Sequence, residues 1–274
     1  MILVTGAAGK TGRAVIRALV ERGQAVRALV RREQDVGAQE TVVASMADEA
    51  VFVRAARGVD AIYHICPNAS PDEIAFGRNA IAAARAAGVA RFAYHSVLHP
   101  QIEAMPHHWH KMRVEELLFA SGLDVTILQP TAYMQNLLAN WPAIRQGVHR
   151  TPYPVTSRIS LVDLGDVAEV AARVLTGGGH SAATYELVGT PPLSQGEVAD
   201  VLSEALDRPV RAESESIEQW RARAAGLGHR QADVLTRMFQ YYARHGLGGN
   251  DRALRGLLGR PPTSLLEFAR RVQG

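Results

Sequence analysis

Gly6, Gly9 and Gly12 recur at every third position in the opening stretch MILVTGAAGKTG. In that spacing a tight turn, a close backbone approach and a close helix contact can each use a residue without Cβ. The apolar run Ile2-Leu3-Val4 precedes the turn, and Val15, Ile16, Leu19 and Val20 follow at helical period, so the stretch reads as strand, glycine turn and helix. A helix opened in this way offers unpaired N–H groups and a positive dipole end to an anion, and the anion suited to this turn is a pyrophosphate. Lys10, a compact charge able to approach phosphate or ribose, and Thr11 lie inside the turn. A plain glycine-rich βα turn is the competing reading. Its place directly between a buried strand and a helix favours the dinucleotide.

Of thirty basic residues only Lys10 and Lys111 are lysines. The chain writes arginine wherever generic positive charge serves, so each remaining lysine points to a need for an ammonium. Lys111 follows His107 by four residues in HHWHKMRVEELL, which puts both on one helix face. His107, His108 and His110 invite a metal reading, but no two of them are four apart, and no metal is expected. Histidine titrates near neutrality, so a proton needed by a reaction here would come from His107, His110 or water.

These residues need a frame, and the patterning supplies one. Strands are expected over 2–4, 25–30, 41–44, 61–65, 91–97 and 124–128, alternating with helices over 48–57, 74–87 and 107–118. Such alternation implies a parallel, doubly wound α/β sheet of Rossmann type, whose ligands collect at the carboxyl ends of the strands. Arg31 and Arg32 end the second strand where an acid would select NAD; paired guanidinium groups there favour the 2′-phosphate of NADP(H). Cys66-Pro67 and Tyr94-His95-Ser96 arrive at the same edge, as does Gln129-Pro130-Thr131-Ala132-Tyr133. Cys66 either lines the cofactor groove or packs as a small buried hydrophobe. Residues 142–158 read as irregular, and helices are expected at 195–206, 217–225, 231–245 and 264–272, forming a smaller, mainly helical C-terminal lobe. Asp163 and Asp166 read as capping residues. The dinucleotide core is expected over about 1–130 and 158–176, the lobe over 131–157 and 177–274.

Composition narrows the function classes. With 47% hydrophobic residues the 274-residue chain can bury a large core, and one cysteine allows neither a disulfide framework nor a thiolate zinc cluster. The net charge of +3 is spread, so nucleic acid is not expected; the absence of an apolar run of membrane length implies a cytoplasmic protein without a membrane partner.

The sequence resembles the NmrA-like branch of the atypical short-chain dehydrogenase/reductases, related to the isoflavone reductase-like enzymes. The resemblance rests on VTGAAGKTGRAV, AAGVARFAYHSV, HKMRVEELLFASGLDVTILQPTAYMQNLL, RISLVDLGDVAEVAARVL and LGRPPTSLLEFAR. It implies NADP(H) binding, a C-terminal lobe over the nicotinamide end, and either reductase activity or cofactor sensing. It implies further that Arg31 meets the 2′-phosphate and that Lys111 is the active-site lysine. Two positions depart from the family pattern. His107 stands where relatives with a tyrosine-x-x-x-lysine pair carry the proton-donating tyrosine, and Ser45 stands where many have an aspartate near adenine. The leading expectation is an NADPH-dependent reductase of a small quinone, carbonyl or activated double bond, with Pro130, Thr131 and Tyr133 orienting the nicotinamide and Ser96 meeting it. An NADP(H)-sensing regulator with a protein partner, or an interaction scaffold, is the alternative; a homodimer is compatible with each.

Overall fold

A computed structural model describes residues 1–273. In chain order β1 (Ile2–Val4), α1 (Lys10–Val20), β2 (Val26–Val30), β3 (Glu40–Val43), α2 (Glu49–Ala56), β4 (Ala61–His64), α3 (Glu73–Ala87), β5 (Arg91–His95), α4 (Pro106–Phe119) and β6 (Val125–Pro130) follow one another, strands and helices alternating except between β2 and β3, which a loop joins. The central sheet has seven strands, and its order places β3-β2-β1 on one side and β4-β5-β6 on the other. Every pairing between β3 and β6 is parallel. The order reverses between β1 and β4, which makes the gap above their carboxyl ends the expected ligand crevice.

The elements group into two compact units. The first takes Met1–Glu103, His107–Gln129 and Val167–Tyr185. Its core joins Leu3, Ile62, Phe92 and Ile127 of the sheet to Phe52, Ala80, Ala84, Val114 and Leu118 of the helices. β1 is buried throughout, which suits its continuous apolar run at the centre of a doubly covered sheet.

The second unit takes Ala104–Pro106, Pro130–Asp166 and the described residues from Glu186 onward. It contains β7 (Ala132–Tyr133), a 3₁₀ segment (Met134–Asn140), α5 (Trp141–Arg145), β8 (Val148–Thr151) and β9 (Leu161–Val162). α6 (Leu164–Thr176) and β10 (Ala183–Leu187), the latter beside β6 in the sheet, follow in the chain but lie mostly in the first unit. Then come α7 (Gln195–Leu206), β11 (Arg211–Ser214), α8 (Ile217–Arg223), α9 (His229–His245), α10 (Arg252–Leu258) and α11 (Leu265–Gln273). Ser194 and Ser216 start α7 and α8 with capping boxes to Glu197 and Gln219, the spacing that makes these helix starts legible.

Residues 142–158 are irregular only in part, at 146–147 and 152–158. They hold most of α5 and all of β8, and β8 pairs in parallel with β11. The strand escapes pattern reading because both of its buried residues, His149 and Thr151, are polar. Strand β10, ATYEL, lies at the sheet edge with only Leu187 fully buried, so it lacks the apolar run that marked the inner strands.

Candidate active site

The glycine turn is built from short backbone contacts. The Gly9 amide donates to the Gly6 carbonyl at 3.0 Å, and the Arg13 amide donates to the Gly9 carbonyl to open α1. The three glycines are not equivalent. Gly6 has φ +56°, and a Cβ there would lie 2.8 Å from the Ile65 carbonyl oxygen. At Gly12 a Cβ would lie 2.7 Å from Ala7 Cα and would also strike the Gly6 carbonyl oxygen. Both glycines are demanded by the fold. Gly9 is different: its φ −74° and ψ 164° suit any residue, and a Cβ would meet only the Gly6 oxygen, at 3.3 Å. The protein's own packing therefore leaves room for a side chain at Gly9, and a ligand approaching the exposed backbone there would fill it. Thr11 is buried in the first turn of α1, while Gly9 and Lys10 are exposed. The first turn carries no acid to repel an anion.

Arg31 and Arg32 are both exposed directly after β2. The loop they enter is braced from α1, because the Arg13 guanidinium donates to the Asp35 carbonyl at 2.9 Å and to Gln34 Oε1 at 3.0 Å. Ser45, exposed after β3, accepts from the Ala47 amide at 3.2 Å and keeps acceptor capacity. Pro67 is exposed and Cys66 buried at the carboxyl end of β4. Burial and the Glu73 carboxylate push the Cys66 thiol far above its ordinary range, so it stays protonated.

Behind this edge lies a layer of buried polar side chains. Glu73, the first residue of α3 and 2% exposed, accepts from Tyr94 Oη at 2.8 Å and from Lys111 Nζ at 3.0 Å. Lys111 also donates to the His95 carbonyl at 3.1 Å, and its Nζ lies 5.3 Å from the Tyr94 ring centroid. Gly77 explains how α3 and α4 come this close: a Cβ on it would lie 2.8 Å from Val114 Cγ1. Gly77 is one turn beyond Glu73 and Val114 almost one turn beyond Lys111, so the bare backbone sets the pair's separation. Ser96 belongs to a neighbouring group, donating to Glu115, which also accepts from Gln129 Nε2 at 3.0 Å on each oxygen. Desolvation raises the Glu115 carboxyl pKa. Thr5 ties the layer to the glycine turn through His64 Nδ1 at 3.0 Å and the Ile65 backbone.

Four imidazoles in this layer are held neutral. Burial lowers His64 and His108 to about 4 and His95 and His107 to about 3. His107 Nδ1 and His64 Nε2 are buried and have no hydrogen-bond partner among the described residues. Burial therefore works against His107 as an acid titrating near neutrality. Tyr94 does not replace the missing tyrosine either. It is fully buried, its hydroxyl is committed to Glu73, and its pKa is raised well above the ordinary value.

In the second unit Thr131 is fixed through its hydroxyl to the Ser160 carbonyl at 2.9 Å and through its amide to Leu187. Pro130 is buried and Tyr133 half-buried. Asp163 accepts from the Gly165 amide at 2.7 Å, as a cap should, and also from Gln135 and Arg271. Asp166 does not cap its own helix. It accepts from Arg260 and from the Thr263 amide and hydroxyl, ahead of α11.

The structure thus gathers Lys111 and Cys66, with Tyr94, around one carboxylate, Glu73, places His107 beside Lys111 on α4, and assigns Ser96 to another carboxylate, Glu115. Sequence reasoning missed both acids. Glu115 had a usable signal, four residues from Lys111 on one helix face. Among the described residues no group of three or more His, Cys, Asp or Glu is arranged to hold a metal. Nor is any helix among them long and apolar enough to cross a membrane.

Comparison with known proteins agrees with this fold. The sequence model of the NmrA-like family matches residues 1–265. The chain is 32% identical to the NAD(P)H azoreductase of Xenophilus azovorans, over 98% of this chain and 97% of that one. It is 30% identical to quinone oxidoreductase 2 of Escherichia coli K12, over 97% and 96%. The crystal structure of the Escherichia coli NADPH-dependent quinone oxidoreductase complexed with NADPH superposes with a TM-score of 0.87 at 30% identity, covering both chains completely.

Proposed function

Because the chain belongs to the NmrA-like family, we propose that it is an NADPH-dependent oxidoreductase that passes two electrons to a small quinone or a related acceptor. The observation that carries this reading is Gly9, where the fold has room for a side chain and the sequence keeps none, as a turn that must admit a pyrophosphate requires. When bound, NADPH supplies the hydride. The chain's own residues hold and orient it: the amides of the glycine turn with Lys10 and Thr11 for the pyrophosphate, Arg31 and Arg32 for the 2′-phosphate, Ser45 for the adenine side, and Cys66-Pro67 as a wall. Lys111, pinned between Glu73 and the His95 carbonyl, offers a fixed ammonium for ribose hydroxyls or for negative charge developing on the acceptor.

A quinone suits a site whose buried imidazoles His64, His95, His107 and His108 are held neutral. Accepting a hydride turns it into a hydroquinone anion whose charge is spread over an aromatic ring, so solvent can protonate it. A simple ketone would yield a localised alkoxide and need a placed proton donor. The neutral imidazoles and the committed Tyr94 hydroxyl therefore favour quinones over ketones as substrates. The test is NADPH oxidation against matched panels of quinones, enals and ketones. Turnover confined to quinones supports the reading; turnover of ketones alone refutes the substrate class, and NADPH binding without turnover of any acceptor supports a sensor.

A further inference from the structure

We infer that Glu73 is a positioning residue: its buried carboxylate holds the Lys111 ammonium charged and in place. This inference rests on the reading of Lys111 as the active-site lysine. An ammonium only 7% exposed needs a counter-charge to remain ionised, and Glu73 is the carboxylate in hydrogen-bond contact with it, at 3.0 Å. The contact is built into the fold. Gly77 lets α4 pack against α3 at the level where the two side chains meet, and Tyr94 occupies a further lone pair of the carboxylate, which keeps Glu73 turned inward.

The surroundings give Lys111 little other support. From β4 and β5 it faces His64 and His95, and from its own helix His107 and His108; all four are neutral. Cys66 after β4 and Tyr94 on β5 stay protonated. Glu115, the other carboxylate acting on Lys111, is engaged by Ser96 and Gln129. Losing the charge of Glu73 therefore leaves the ammonium without a contacting counter-ion.

The chain's two lysines make the test direct. Protein labelled with ¹³C and ¹⁵N in lysine gives two side-chain signals, and Lys10→Arg assigns them. In Glu73→Gln, which keeps shape but not charge, the Lys111 signal is expected to titrate at least about one pH unit below its position in the parent. Glu73→Asp keeps the charge while withdrawing it by a methylene, and it is expected to shift less. It also keeps the test alive if Glu73→Gln fails to fold. Quinone turnover should follow the same order. Glu73→Gln is expected to lose about tenfold in kcat/KM at alkaline pH, as expected for a group a pH unit further along its titration, and to recover at lower pH. Glu73→Asp is expected to lose less.

A purely packing role predicts the reverse order, with the isosteric glutamine better tolerated than aspartate. That result, or a Lys111 titration unmoved in both variants, overturns the inference. If Lys111→Met turns over at the parent rate, the lysine assignment itself fails. If Lys111→Met is impaired, Glu73→Gln added to it should cost no further activity; independent, multiplying losses overturn the role assigned to Glu73.

Discussion

The glycine turn separates binding from folding within four residues, and two alanine substitutions test this. In Gly12→Ala the new methyl would meet backbone only, 2.7 Å from Ala7 Cα and 3.0 Å from the Ala7 carbonyl carbon, and none of these atoms can rotate away. Overpacking of this kind costs about 1–3 kcal/mol and more where backbone must move. Alanine regains about 1 kcal/mol over glycine inside a helix, so a net loss of about 2 kcal/mol is expected. Gly9→Ala places its methyl 3.3 Å from a single carbonyl oxygen, in a conformation open to any residue. Its stability should stay within about 1 kcal/mol of the parent, since the poorer alanine N-cap and the stiffer unfolded chain act in opposite directions. NADPH is the quantity that should change. Loss of one hydrogen bond to a charged phosphate is worth about 1.5–3 kcal/mol, or roughly ten- to a hundredfold in Kd. Urea denaturation and calorimetric titration of NADPH measure the two terms. Equal destabilisation in both variants, or parent-like NADPH affinity in folded Gly9→Ala, would refute the reasoning.

Arg31→Ala should weaken NADPH binding about tenfold while leaving NADH nearly unchanged, because a charge-assisted bond to the 2′-phosphate is lost; equal effects on both cofactors in parallel titrations count against the assignment. Stability should fall with acid. His64, His95, His107 and His108 have folded pKa values of about 3 to 4, so the unfolded chain takes up protons first as pH drops below about 6.5. Their contribution is complete above that pH and is lost on acidification, at about 1 kcal/mol per pH unit for each; urea midpoints that stay flat between pH 7.5 and 5 would contradict it. Asp166→Ala removes the acceptor of three hydrogen bonds at a 1% exposed site and should cost about 3 kcal/mol; a thermal midpoint near the parent's would show that the contact carries little.

What the sequence disclosed and what it withheld follow from one distinction. The turn at Gly6 to Gly12, the inner strands and most helices are local or periodic, so the order of residues carries them. The expectation of NADP(H) could be drawn at Arg31 and Arg32 because it rests on which charge stands at one strand end. Glu73 was not legible. A glutamate at a helix start resembles a solvated acid favoured by the dipole, and only the approach of α3 to α4 at Gly77 turns it inward. The burial of His107 was hidden for the same reason, since its ordinary pKa belongs to water and not to the buried side of α4. In β8 and β10 the burial pattern follows partners far along the chain, which no local window contains.

The aspartates of LVDLGDV close on partners that the ribosome makes much later. Arg260 lies 94 residues after Asp166, Thr263 lies 97 after it, and Arg271 lies 108 after Asp163. During synthesis at about 5–20 residues per second, those two carboxylates wait several seconds before their partners exist. The first unit also draws on Val167–Tyr185, yet its last residue still precedes Arg260 by dozens of positions. Vectorial synthesis therefore gives the nucleotide-binding sheet a head start, and the second unit acquires its clasp only when the segment around Arg260–Arg271 emerges.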